Sequence, residues 1–218
     1  MMSQVRIKGP SQELYDATVS RVIGLQESFL AGHARGIREL ARLRHVDAAS
    51  PAADPALWAM TLGGLPASLI GHGDGPARAE YAIHAALALY AVHQQSQRQG
   101  MHRAGIGLGT AVRQVARSRG VGGEWDNGTV SRFESLCRAQ SHEVRVRQLR
   151  GLVTLMRGEG VAMDYGRLAQ DLYRLLAHAN DSGVLLHWGR DLHRQAAPAG
   201  ASLNNSSSTN SSTTEQEN

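Results

Sequence analysis

Four sets of residues in this 218-residue chain could do chemistry: ten histidines, one cysteine, a glycine-rich run and a large excess of arginine. The histidines are scattered from His33 to His193, and no pair stands four apart beside a helical glutamate. A metal needs several ligands converging with supported orientation, so no metal site is expected. Cys137 stands alone, which excludes an internal disulfide and a cysteine-based zinc site. It neighbours Leu136 on the inner face of a predicted helix, where a free thiol acts as a small hydrophobe. Ser131 and Ser135 fall within amphipathic helix rather than on a strained elbow, and no paired carboxylates share a face. The run Gly105-Ile-Gly-Leu-Gly109 lacks the spacing of a dinucleotide fingerprint and follows no predicted strand. Its glycines read instead as backbone freedom and close packing. The expectation is a non-enzyme with no cofactor.

Arginine is different. The chain has 22 arginines and one lysine, against 19 acids. Between Arg103 and Arg157 ten arginines face four acids, Glu124, Asp126, Glu134 and Glu143. A second cluster, Arg35, Arg38, Arg42 and Arg44, has one nearby acid, Glu39. Concentrated arginine with thin compensation is the electrostatic footprint of a phosphate-backbone binder. Helical spacing adds geometry. Arg113 and Arg117 are four apart and share a face. Arg132 and Arg138 are six apart and diverge by about 120°. Arg147 and Arg150 are three apart, and Arg157 extends their stripe seven residues further. Aromatic residues make up 5% of the chain, and no aromatic strand platform is present, so base stacking is expected to matter little. Such a surface would bind backbones with weak sequence preference.

The elements that must position these side chains read as helices nearly throughout, with no clean two-residue alternation. Ser11 is placed as the cap of a helix to about Leu30, followed by the arginine-rich segment 33–45. Asp54-Pro55 opens a helix containing Leu57, Trp58 and Leu62. Residues 71–76 form a turn, and Ala77–Gln99 a long alanine-rich helix. After the glycine break come a helix to about Ser118, a loop over 120–128, and a helix from Thr129 to about Gln140. Ser141 caps the next, ending near Gly158; Asp164 caps another; a last helix covers about Gly183 to Gln195. The fold class is all-α, a compact bundle of eight or nine helices over residues 1–197, with halves at about 1–100 and 103–197. From Pro198 onward Ser, Thr and Asn dominate, and this tail is expected to be disordered. No basic, apolar, small-residue succession opens the chain, and the longest apolar stretch, Tyr81 to Val92, is too short for a bilayer. The expected location is the cytoplasm, with no membrane partner.

Five segments carry a resemblance. They are Gly107-Leu-Gly-Thr-Ala-Val-Arg113, Ser131-Arg-Phe-Glu-Ser-Leu-Cys-Arg-Ala139, Gln148-Leu-Arg-Gly-Leu-Val153, Asp164-Tyr-Gly-Arg-Leu-Ala-Gln-Asp-Leu-Tyr173 and His187-Trp-Gly-Arg-Asp191. In that order and spacing, over about residues 103–195, they resemble the CasB family, the small subunit of the type I-E CRISPR complex Cascade. The resemblance implies an all-helical, non-catalytic subunit, present in two copies along the inner side of an RNA-guided complex. It implies other Cascade subunits with guide RNA as partners, and a basic surface supporting the target strand and the displaced strand of the R-loop. Carried over residue by residue, it points to Arg113, Arg132, Arg138 and Arg150. Arg117, Arg145 and Arg147 join them by charge alone, as do Arg35, Arg38 and Arg42. In the last segment the resemblance implies a structural role, with Trp188 packing and Arg190 pairing with a carboxylate.

Two other readings compete. In the first, the chain is a protein-only scaffold whose basic face docks acidic partner subunits. In the second, it is a helix-turn-helix regulator. The latter fits poorly, because the loop over 120–128 is too long for the tight turn.

Overall fold

The computed structural model describes residues 9–51 and 55–194, and the apolar periodicity becomes helix through most of them. Nine α-helices follow in order among those residues: α1 Pro10–Leu30, α2 Ala34–His45, α3 Trp58–Thr61, α4 Arg78–Gln94, α5 Leu108–Arg119, α6 Asn127–Cys137, α7 His142–Gly158, α8 Tyr165–Ala177 and α9 Ser182–His193. Two 3-10 turns, Pro55–Leu57 and Ala67–Leu69, flank α3. No strand occurs among the described residues, which hold one isolated parallel bridge, His102 to Met163. The chain is all-α. The cap expected at Asp54 and the tail expected from Pro198 lie outside the described residues.

Four of the nine helices start where a short polar side chain satisfies an orphan amide. Asp126, Ser141, Asp164 and Asp181 cap α6, α7, α8 and α9 by accepting from the amides of Thr129, Val144, Arg167 and Val184. Two starts differ from expectation. Gly9, not Ser11, caps α1, because Pro10 takes the first position, where a fixed φ and a missing N–H cost nothing. α6 begins before Thr129, because Asp126 binds both the amide and the hydroxyl of Thr129. The segment around Trp58 is a 3-10 turn and four α-helical residues rather than a full helix, and Gly64 follows at φ 68°. α4 stops at Gln94, short of the expected Gln99. The Gln94 side chain turns back to accept from the Met101 amide at 2.9 Å and donate to the Gln99 carbonyl at 2.9 Å. Ser96 takes a positive φ of 60° inside that turn.

α4 is the axis. From Ala82 to Gln94 every residue is buried, as expected for a helix apolar on all sides and surrounded by others. α1, α2, α3, α7 and α8 pack around it. The packing crosses the chain midpoint, since α8 lies against both α1 and α4, while α5 packs on α9 and α6 on α7. One apolar core runs from Leu14 on α1 to Leu192 on α9. Where α5 meets α9, Gly109 leaves no room for a side chain: a Cβ there would meet the Trp188 carbonyl oxygen at 2.1 Å. The glycine run therefore does serve close packing. Buried polar groups fasten the junctions. Tyr165 and His93 Nδ1 share a hydrogen bond of 2.8 Å between α8 and α4. The Asp164 carboxylate accepts from the Gly105 amide at 2.8 Å and the Tyr15 hydroxyl at 3.2 Å, joining α8, the loop before α5, and α1.

Candidate functional site

The ten arginines singled out from sequence do not share one environment. On α2, Arg35, Arg38 and Arg42 stand three and four apart and are all exposed, forming one stripe. Arg35 bonds Glu39 at 2.8 Å with its side chain 81% exposed, so the pair is loose and solvent-screened. Arg38 and Arg42 make no hydrogen bond or ion pair with the described residues. On α6, Arg132 is exposed and touches only the Gly128 carbonyl of its own turn, at 3.4 Å. Arg138 is exposed and meets Glu134 at 3.4 Å. On α7, Arg147 is exposed and free of any bond to the described residues.

Arg150 joins two of these sets. Its Nη2 donates to the Arg44 carbonyl at 3.0 Å, so the outer side of α7 abuts the C-terminal end of α2. The two basic clusters, more than a hundred residues apart in sequence, thus become neighbours. Positive charge near a helix C-terminus is also favourable in itself, as the last carbonyls carry partial negative charge.

Two of the ten are committed inside the fold. Arg145 is 2% exposed, and its Nη2 donates to the carbonyls of Ala139 and Ala179, the latter at 2.8 Å. Burial lowers its pKa. Arg113 is half-buried, and its Nη1 donates to the carbonyls of Asp191 at 2.8 Å and Arg194 at 2.7 Å, closing the end of α9. These two are corrected from surface cations to internal ties, because unpaired carbonyls at helix ends are the partners within reach. Arg157 is similar: its Nη1 donates to the Val92 carbonyl at 3.3 Å and to Gln95 at 2.7 Å, so it does not extend the α7 stripe into solvent.

Arg117 points elsewhere, over the Trp125 indole at 5.9 Å from the ring centroid. The His193 imidazole stacks on the same indole at 5.6 Å and 16°. This column escapes the sequence reading because its three members are far apart in the chain, and the low aromatic content hides it. A polar groove of about 380 Å³ between α8 and α9 is likewise new, lined by Arg167, Arg174, Arg190 and His187. Arg190 there is exposed and bonds no carboxylate of the described residues, contrary to expectation. Trp188 does pack, at 1% exposure, and donates to Asp171 at 2.6 Å. Burial raises the Asp171 pKa to about 6. Burial also pushes the Cys137 thiol up to about 11, which keeps it protonated and unreactive at neutral pH. Among the described residues no group of three or more His, Cys, Asp or Glu could hold a metal ion, and no helix is long and apolar enough to cross a membrane.

Comparisons with known proteins agree with this architecture. Residues 39–193 match the family described as CRISPR-associated protein Cse2. The chain is also similar to CasB from Thermobifida fusca, known from its crystal structure, at 32% sequence identity and a TM-score of 0.67. That likeness covers 83% of this chain and 98% of the other. No curated protein matches the chain.

Proposed function

This chain belongs to the CRISPR-associated Cse2 (CasB) family of the type I-E Cascade, and from that premise we propose that it is a non-catalytic subunit whose arginine face holds nucleic-acid backbones. Its ligands are the target DNA and the displaced strand of the R-loop, taken without sequence preference. Its partners are the other Cascade subunits with their guide RNA and a second copy of itself. The setting is the cytoplasm. Replacing a DNA duplex by an RNA–DNA heteroduplex is nearly balanced in free energy, so contacts to backbones can tip it. Arginine suits the task, since its planar fork can engage two phosphate oxygens at once.

The observation that carries this reading is the Arg150 bond to the Arg44 carbonyl at 3.0 Å. It ties α7 to the C-terminal end of α2, the helix that carries Arg38 and Arg42, which supports a track running over both helices rather than two isolated patches. Arg132 and Arg138 would extend that track onto α6, which packs on α7. The test is the triple charge reversal Arg132→Glu, Arg138→Glu and Arg147→Glu in the assembled complex. Weaker binding of target DNA with unchanged subunit composition is the expected result. Unchanged DNA binding overturns the track. Loss of the subunit from a complex assembled without DNA assigns the arginines to protein partners instead.

A further inference from the structure

We propose that the Arg117–Trp125–His193 column is a stacking platform for one unpaired nucleobase, an inference that rests on the nucleic-acid reading above and assigns it a second kind of contact. The indole is half-buried and anchored on the core, whereas Arg117 and His193 are both exposed. The imidazole lies nearly parallel to the indole, at 16°, and the guanidinium lies over it. A planar base added at an exposed end of this column meets a flat, polarisable surface with a cation in the stack. Stacking of that kind is indifferent to which base is present, because every base offers a π-face.

The platform is held in place before any ligand arrives. The loop that carries Trp125 turns back through Gly122 at φ 65° and Gly123 at φ 86°. It is closed by the Asp126 amide donating to the Ala116 carbonyl at 2.8 Å. That close approach makes glycine obligatory at position 120, since a Cβ there would sit 1.8 Å from the Glu124 carbonyl oxygen. Positive charge for the flanking phosphates is at hand. Arg194 follows His193 in the chain, and its side chain is 69% exposed although it lies 3.5 Å from the Asp191 carboxylate. Duplexes keep their base faces covered, so the column selects single strands. Arg117 then has a role that charge counting alone does not give it, as part of the stack rather than of a phosphate track.

The test uses the full chain and four labelled probes followed by fluorescence anisotropy. They are a thymidine dodecamer, a uridine dodecamer, the thymidine dodecamer paired to its complement, and a dodecamer with abasic sites. Trp125→Ala and, separately, His193→Ala should weaken binding of the single strands by roughly five- to a hundredfold while leaving the duplex unchanged. The abasic strand should bind the unaltered protein as weakly as the thymidine strand binds Trp125→Ala. Retained duplex binding also shows that the variants are folded, and His193 is exposed enough that its loss spares the core. A loss confined to the thymidine or to the uridine strand supports the platform and names DNA or RNA as its source. Single-strand affinity that survives both substitutions, or falls only in step with duplex affinity, overturns the platform and leaves the track intact. A protein that binds none of the probes overturns both.

Discussion

Arg145 and Arg147 stand two residues apart on α7 and do opposite work. Arg145 lies four residues before Leu149 and seven before Leu152, both buried, so it belongs to the inner face, where it ties two carbonyls. Arg147 faces solvent. Arg145→Met should lower stability by about 2–4 kcal/mol, since two carbonyls lose their donor, while Arg147→Glu should change it by less than about 0.5 kcal/mol. Thermal unfolding of the two variants separates an arginine that holds the fold from one that does not. Counting charge cannot make that distinction, but the apolar period of α7 can: Val146, Leu149, Leu152, Val153 and Met156 mark the buried arc. A second pair of residues sets the acid limb of stability. Asp171, raised by burial to about 6, contributes stability below its unfolded pKa near 4 that is lost as pH rises through 6. His93, lowered by burial to about 4, contributes stability above 6.5 that is lost as pH falls toward 4. The two oppose each other across one window and partly cancel. Asp171→Asn keeps an oxygen acceptor for Trp188 and removes only the Asp171 titration. It should therefore be more stable than the parent by about 2 kcal/mol at pH 7 and equal to it at pH 4, as read from unfolding at the two pH values.

Individual helices show where sequence is enough and where it is not. Gly109 and Gly151 both lie inside helices, yet their surroundings differ. At Gly109 a Cβ would meet the Trp188 carbonyl oxygen at 2.1 Å and the Asp191 Cβ at 2.9 Å; at Gly151 nothing lies within 4 Å. Gly109→Ala should therefore destabilise by about 1–3 kcal/mol by prising α5 from α9, whereas Gly151→Ala should stabilise by about 0.5–1 kcal/mol through reduced backbone entropy. Denaturant titration at matched slope reads both. The starts of α7 and α8 were legible because Ser141 and Asp164 act on amides only three residues away. The end of α4 was not, because Gln94 is recruited by Gln99 and Met101 in a turn that alanine-rich periodicity runs straight through. Helix existence is local and readable; helix partners are not. The placement of α8 across α1 and α4 depends on Gly166 admitting Tyr15 and Val19 so closely that a Cβ would meet them at 2.5–2.8 Å, and no spacing along α8 signals it.

At the scale of the whole molecule, net charge overstates the exposed basic surface. Of the ten arginines between Arg103 and Arg157, Arg145 is buried and Arg113 and Arg157 are half-buried, each donating to carbonyls of other segments, and Arg119 is shared between Asp126 at 3.5 Å and Glu159 at 3.4 Å. The exposed arginines on α6 and α7 are Arg132, Arg138, Arg147 and Arg150, which would meet phosphate on the proposed reading, and the last reaches the Arg44 carbonyl at the end of α2. Salt dependence counts these directly, because each neutralised phosphate releases condensed counterion. Replacing Arg132, Arg138 and Arg147 by Gln should flatten the slope of log affinity against log salt for duplex DNA by up to about 2.7, at 0.9 per contact. Arg145→Gln should leave that slope unchanged while lowering the unfolding temperature, since its charge never faces solvent. The comparison is demanding in both directions. A flattened slope in Arg145→Gln would mean that the interior tie opens on binding. An unflattened slope in the triple variant would mean that the exposed arginines touch protein rather than backbone, and that the folded surface, although basic, is read by shape and acidic partners instead of by phosphate.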